Sequence, residues 1–227
     1  MLLLSLMIVS PFAQSEMYFQ SSRVVFAADS KQVNFLISNK YPYPVMIMSW
    51  VDDGQSQSPV DFKGSPVIPY PATQRILGGS TEYLKLMNTY ADLKNKRTES
   101  LFWLNIQTIA PKANATASND MDVSILTKFK LFYRPASLKE NVSEVVNKVT
   151  YSVATETQSV TVNNPTPYYI TFRKFAVDGT PALSGFMVAP ESSKNVEMQK
   201  NILSHQTVNY IIIDDDGQFV AGEGIVK

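Results

Sequence analysis

The sequence has no cysteine and a single histidine, His205. The first absence removes disulfides, thiolate metal sites and a cysteine nucleophile. The second leaves zinc without the three or four nitrogen or sulfur ligands it needs. His205 lies in a polar run at 204–207 with no serine motif beside it, and reads as a solvent-facing loop histidine rather than a catalytic base. Glycine is sparse, and Gly78 and Gly79 stand without the Lys and Ser or Thr of a phosphate-binding loop. Charge of either sign is not in excess: 20 Lys plus Arg face 20 Asp plus Glu, so no global basic field favours nucleic acid or an anionic membrane. Asp214, Asp215 and Asp216 are adjacent rather than alternating, as a charged turn is and a calcium loop is not. No stretch reaches the roughly 18 consecutive apolar residues of a membrane span. Nothing here calls for a cofactor, a metal or a small-molecule substrate, and an enzyme is the least favoured reading.

What is present is extended chain. After an apolar run at 2–9, a break at Pro11 and small residues at Ala13 and Ser15, residues 1–15 read as a secretory leader. Period-two apolar patterns then recur at 17–26, 32–39, 45–51, 62–76, 81–87 and 100–109, separated by polar, Pro- or Gly-marked turns. Residues 45–51 are nearly continuous in apolar side chains, as in a central strand covered on both faces. The prolines at 66, 69 and 71 make 62–76 an edge strand or one that changes sheets. In 100–109 the residues to bury are Leu101, Trp103 and Ile106. Two polar stretches, 88–98 and 111–120, read as loops. With the next strand, seven segments at sandwich spacing argue an immunoglobulin-like first domain.

That seventh strand organises the rest. Residues 119–135, NDMDVSILTKFKLFYRP, place Met121, Val123, Ile125, Phe129, Leu131 and Tyr133 on one side of an extended chain. Seventeen residues exceed a usual sandwich strand of about five or six, so the surplus needs a partner. Beyond it, Leu138, Val142, Val145 and Val149 fall at helical spacing, and the domain boundary is expected there. Strands resume from Tyr151, with segments at 159–162, 168–176, 185–188, 194–198 and 209–213, forming a second, smaller all-β domain. The expected division is 1–15 leader, 16–136 first domain and 137–227 second domain.

Arg23 and Lys130 sit inside strands where neutral side chains are usual, and a pair of cations with no evident acid is either two solvated charges or a carboxylate site. The segments KLFYRP at 130–135 and ESLFWLN at 99–105 are similar to the signature of the periplasmic pilus chaperones of the chaperone-usher pathway. RVVF at 23–26, SWVDD at 49–53 and NPTPYYITF at 164–172 resemble it in the same order, over nearly the whole chain. The resemblance implies an all-β fold of two immunoglobulin-like β-sandwich domains set at an angle, exported to the periplasm. It implies pilus subunits and an outer-membrane usher as partners. Arg23 and Lys130 match the positions that anchor a subunit's C-terminal carboxylate, and Glu99, Arg134 and Asp215 match a charge network joining the domains. Met121, Val123 and Ile125 would be the side chains of a donated strand. The short 88–98 segment resembles the subfamily of rod-like pili. The free form is expected to cover its exposed strand with that loop, or by self-association at high concentration. The family's Asp-Arg-Glu before SLFWLN is here Arg97-Thr98-Glu99, its Pro-Pro-x-x-Arg is Pro71-Ala72-Thr73-Gln74-Arg75, and its Asn-Asp-Tyr-Gly turn is Asp214-Asp215-Asp216-Gly217. An immunoglobulin-like surface adhesin or receptor module is the rival, sharing the sandwich and leader but needing no cation pair beside an overlong strand.

Overall fold

A computed structural model describes residues 17–55, 64–89, 93, 96–111, 124–154 and 158–227. The leader, Met121, Val123 and most of the 111–120 connection lie outside the described residues. Two separate apolar cores divide the chain, one for each sandwich.

In the first domain the opening segment is two strands, β1 (Met17–Phe19) and β2 (Arg23–Ala27), in different sheets. β3 (Gln32–Asn39) and β4 (Val45–Asp52) follow. Next come β5 (Val67–Tyr70) and β6 (Thr73–Ile76), again in different sheets, so the proline-marked segment is the one that changes sheets. β7 (Thr81–Asn88), β8 (Ser100–Ile109) and β9 (Ser124–Arg134) complete the domain. The orders are β1-β3-β7-β5 against β2-β9-β8-β4-β6. Alternation decides which side chains enter the core: Phe35 and Ile37 from β3, Leu84 and Leu86 from β7, and Phe129, Leu131 and Tyr133 from β9 are all buried.

Two expectations fail here. β4 is not covered on both faces, because Val45, Ile47 and Val51 point inward while Met46 and Met48 are exposed on the outer surface. Its apolar run hid an ordinary alternation, since methionine is as apolar as the residues beside it. In β8 the inward row is Phe102, Leu104 and Ile106, and Leu101 and Trp103 are only half-buried.

The second domain opens with helix α1 (Val142–Val145) and a 3-10 turn (Val146–Lys148), packed on the core through Val142, Val145, Val146 and Val149. Asn141 caps the helix in a reciprocal box with Glu144. β10 (Thr150–Val153), β11 (Ser159–Asn164), β12 (Ile170–Val177), β13 (Thr180–Pro181), β14 (Phe186–Val188), β15 (Ser192–Glu197), β16 (Thr207–Ile213) and β17 (Phe219–Ile225) follow. One sheet is β10-β11-β15; the other is β13-β12-β16-β17, with β14 also on β12. β17 was not anticipated, because FVAGEGI carries two glycines and reads poorly as a strand. The structure supplies the reason: a Cβ on Gly222 would collide with the Tyr210 ring, and one on Gly224 would lie 2.5 Å from the Tyr151 ring.

Each sandwich uses the same device at one hairpin. Asn39, fully buried, donates from Nδ2 to the carbonyls of Tyr43, Ile76 and Leu77 and accepts the Tyr41 N–H on Oδ1. Asn164, equally buried, donates to the Tyr168 and Ala189 carbonyls and accepts from Thr166. Replacing the amide by a carboxylate of the same shape removes the donors and leaves buried carbonyls facing a charge. Asn39→Asp is therefore expected to destabilise the first domain by about 3 kcal/mol or more, read as a lowered urea midpoint. An unchanged midpoint would show that the amide is not what holds the turn.

Candidate functional site

The β9 strand has two neighbours over only part of its length. On one side β8 pairs with it from Ser124 to Tyr133. On the other, β2 runs parallel to it and covers only Lys130 to Arg134. Among the described residues no strand pairs with 124–129 on that second side, so its backbone edge is open. The odd row leaves the core at the same place: Phe129 is buried against Phe19 and Phe35, Thr127 is half-buried, and Ile125 is 51% exposed. Of the three expected donor side chains, then, Ile125 lies on the open edge, and Met121 and Val123 fall outside the described residues.

At the closed end of that edge the parallel register sets Arg23 directly beside Lys130. Arg23 opens β2 and is 5% exposed, with Nη1 donating to the Ile213 carbonyl of the second domain at 3.0 Å. Its guanidinium lies 5.7 Å from the Phe132 ring centre, and its buried Nε has no partner among the described residues. Arg23 also borders a cleft of about 380 Å³ together with Gln20, Asn34 and Asp215. Lys130 is half-buried and forms no ion pair or side-chain hydrogen bond among the described residues. Burial, and then the neighbouring Arg23 charge, push the Lys130 ammonium below its usual range. Burial likewise lowers Arg23, against the pull of Asp215, Asp214 and Glu99. A strand edge ending in two under-compensated cations can accept an extended chain whose terminus is anionic.

Arg134, the last residue of β9, is held on both sides. Its Nε donates to Glu99 Oε1 at 2.7 Å, and its two terminal nitrogens grip Asp215 at 2.8 and 2.7 Å. The guanidinium lies 4.9 Å from the centre of the Tyr168 ring. Although buried, Arg134 is pushed up by these carboxylates and stays charged. Burial raises the Glu99 carboxyl, against the Arg134 charge and the Tyr169 N–H that donates to its Oε2 at 2.7 Å. The turn carrying Asp215 ends at Gly217, whose φ of 83° suits glycine and where a Cβ would lie 3.1 Å from the Ser21 and Ser22 hydroxyls.

Part of this junction is made by backbone groups, which no side-chain pattern in the sequence announces. The Glu99 N–H donates to the Pro167 carbonyl, and the Phe132 and Tyr169 rings meet at a tilt with centres 5.7 Å apart. The rigid turn at Pro165 and Pro167 was the available signal, but nothing in it named Glu99 as its partner. Nor was it legible that Arg23 serves the junction as well as the edge. His205 sits in an exposed turn at φ 68°, its N–H bonded to the Val226 carbonyl.

Comparison with known proteins assigns the chain to one class. Residues 16–139 match the family model described as pili and flagellar-assembly chaperone, PapD N-terminal domain. Residues 144–224 match that described as pili assembly chaperone PapD, C-terminal domain. The chain belongs to the pilus-assembly chaperone family. It is similar to the chaperone protein LpfB of Salmonella typhimurium, at 32% identity over 87% of this chain and 83% of that one. The crystal structure of the Pseudomonas aeruginosa CupB2 chaperone superposes with a TM-score of 0.78 at 32% identity, covering 92% of this chain and 100% of that one. A complex of the SafA pilin with the SafB chaperone from Salmonella enterica shares the fold, at TM-score 0.80, 24% identity and coverage of 92% and 95%. The adhesin alternative is set aside by these matches.

Breaking the Arg134 cluster from one side leaves a buried guanidinium short of a partner, which is expected to cost about 3 kcal/mol. Asp215→Ala should therefore lower the denaturation midpoint clearly and speed proteolysis at the 135–141 connection. Lys148→Ala, which removes an exposed pair with Glu140, should cost no more than about 0.5 kcal/mol. Equal effects of the two substitutions would mean that the cluster does not join the domains.

Proposed function

We propose that this chaperone captures pilus subunits by pairing the open edge of β9 with an incomplete subunit sandwich, and delivers them to an outer-membrane usher. The observation that carries the reading is the coincidence of an open strand edge at 124–129 with two adjacent, under-compensated cations at its closed end. The SafB neighbour, a chaperone bound to a pilin, supports subunits as the partner class. The leader-like residues 1–15 support export to the periplasm. The first domain, 16–136, carries the edge and the anchor, and the second, 137–227, braces them through Glu99, Arg134 and Asp215.

In this mechanism Met121, Val123 and Ile125 enter the subunit's groove while Arg23 and Lys130 hold its C-terminal carboxylate. Three apolar side chains fully buried supply roughly 5 to 9 kcal/mol gross, before ordering costs. The cations add about 1.5 to 3 kcal/mol each through charge-assisted bonds. Their distinct contribution is register, because a period-two ladder can slip by two residues and a fixed carboxylate forbids it. No group is asked to make or break a covalent bond, so the function needs neither catalytic residue nor cofactor.

The protonated Lys130 is the binding form, and a bound carboxylate raises its pKa, so capture takes up a proton where the free lysine has lost one. Affinity for a subunit should thus be full at neutral pH. It should fall as pH rises through the free-state value of Lys130, which lies below the ordinary 10.5, by at most about tenfold per pH unit. Lys130→Ala should lose capture in co-purification at every pH, whereas Lys130→Arg should retain part of it without the alkaline fall. Normal capture by a folded Lys130→Ala variant would remove the carboxylate anchor from the mechanism.

A further inference from the structure

The second domain holds a cleft of about 640 Å³ that lies far along the chain from the strand edge, across β12, β16 and β17. Three local features build it. A bulge in the β12–β16 register between Phe172 and Lys174 breaks the alternation, so that the consecutive residues Arg173 and Lys174 are both exposed. Gly185 lets the 181–185 loop approach that bulge, since a Cβ there would lie 2.9 Å from the Phe172 carbonyl oxygen. Across the sheet, Lys174, Ile211 and Ala221 are register neighbours, and Leu183 forms an exposed apolar rim. The lining is mostly apolar, and among the described residues Arg173 and Lys174 are its only charged ones, in a domain with more acidic than basic side chains. Neither cation is in an ion pair among the described residues. Arg173 is held in place from the side, its guanidinium 3.9 Å from the centre of the Phe219 ring.

The geometry points to a binding site for a small amphiphilic organic carboxylate, its headgroup on Arg173 and Lys174 and its apolar body over Ile211, Ala221 and Leu183. The volume lies within the usual range of roughly 300–1,000 Å³ for small-molecule sites, and a mostly apolar wall with few convergent polar groups is their usual composition. Charge complementarity selects an anion, because a neutral ligand leaves both cations facing an apolar body. The loop closing one side favours a single small molecule over the broad, flat contact of about 800 Å² per partner that a protein needs.

The test uses the full chain, isotope-labelled, titrated with decanoate and separately with 1-decanol, and followed by amide chemical shifts. Decanoate should give saturable shifts confined to residues 173–176, 183–185, 209–211 and 221–222. Decanol should bind about tenfold more weakly or worse, as the loss of a charge-assisted contact implies. The double variant Arg173→Ala, Lys174→Ala should lower decanoate affinity to the decanol level while leaving decanol binding and subunit capture unchanged. Both side chains are exposed, so the variant is expected to fold. The proposal is overturned if decanoate gives no saturable shifts, or if its shifts fall instead on the exposed first-domain residues Ile68, Tyr70 and Tyr83. It is equally overturned if decanol binds as well as decanoate, or if an acidic peptide occupies the cleft and decanoate does not.

Discussion

The five-residue parallel ladder between β2 and β9 is the constraint on which the rest depends. It exists because the opening segment leaves its first sheet after Phe19 and enters the second at Arg23. Pairing therefore starts at Lys130 and not earlier, which closes the core above Phe129 and leaves 124–129 open on one side. The same register places Arg23 against Lys130 at one end of the ladder and Ala27 against Arg134 at the other, where the domains meet. One short pairing thus sets the open edge, the cation pair and the domain junction at fixed spacing along a single strand.

The three basic side chains of this ladder are compensated unequally. Arg134 has two carboxylates, Arg23 has one carbonyl and an unpartnered Nε, and Lys130 has no ion pair among the described residues. Burying charge without full compensation costs several kcal/mol, and structures retain it where another interaction offsets the cost or where a ligand later supplies the missing partner. Here the fully paired arginine braces the domains, and the under-paired cations sit side by side where the β2 ladder begins and the open edge ends. Arg23 stands in both groups, since its bond to the Ile213 carbonyl fixes it from the second domain. On the proposed mechanism, the second domain, which donates no strand, would still influence what the strand edge holds by positioning one of the two cations.

Much of the fold was legible because alternation is a strong signal in strands such as β7, where Leu84 and Leu86 alternate with Tyr83 and Lys85. It failed where composition masked parity. The methionines of β4 looked like core and are surface, and Trp103 looked like core while Phe102 and Leu104 fill it. β17 was hidden because its glycines are explained only by the rings of Tyr210 and Tyr151, which come from other strands. At the site, Arg23 and Lys130 stood out as charges inside strands, but their adjacency depends on a parallel register between segments a hundred residues apart. The share of Arg23 in the junction, the Glu99 N–H bond to the Pro167 carbonyl and the Tyr169 N–H bond to the Glu99 carboxylate carry no local pattern at all.

In the proposed mechanism residues 124–129 are a backbone edge that receives a subunit strand, whose terminal carboxylate is anchored beside Lys130. Hydrogen exchange of those amides in the dilute free chaperone and in its complex with a pilus subunit tests it most directly, because it reports on the edge itself. Amides not already bonded to β8 are expected to be less protected in the dilute monomer than in the complex, and amidating the subunit's C-terminal carboxylate is expected to weaken the gain. Equal protection of 124–129 in the free monomer and in the complex would contradict it, since the edge would then be occupied before any subunit arrives.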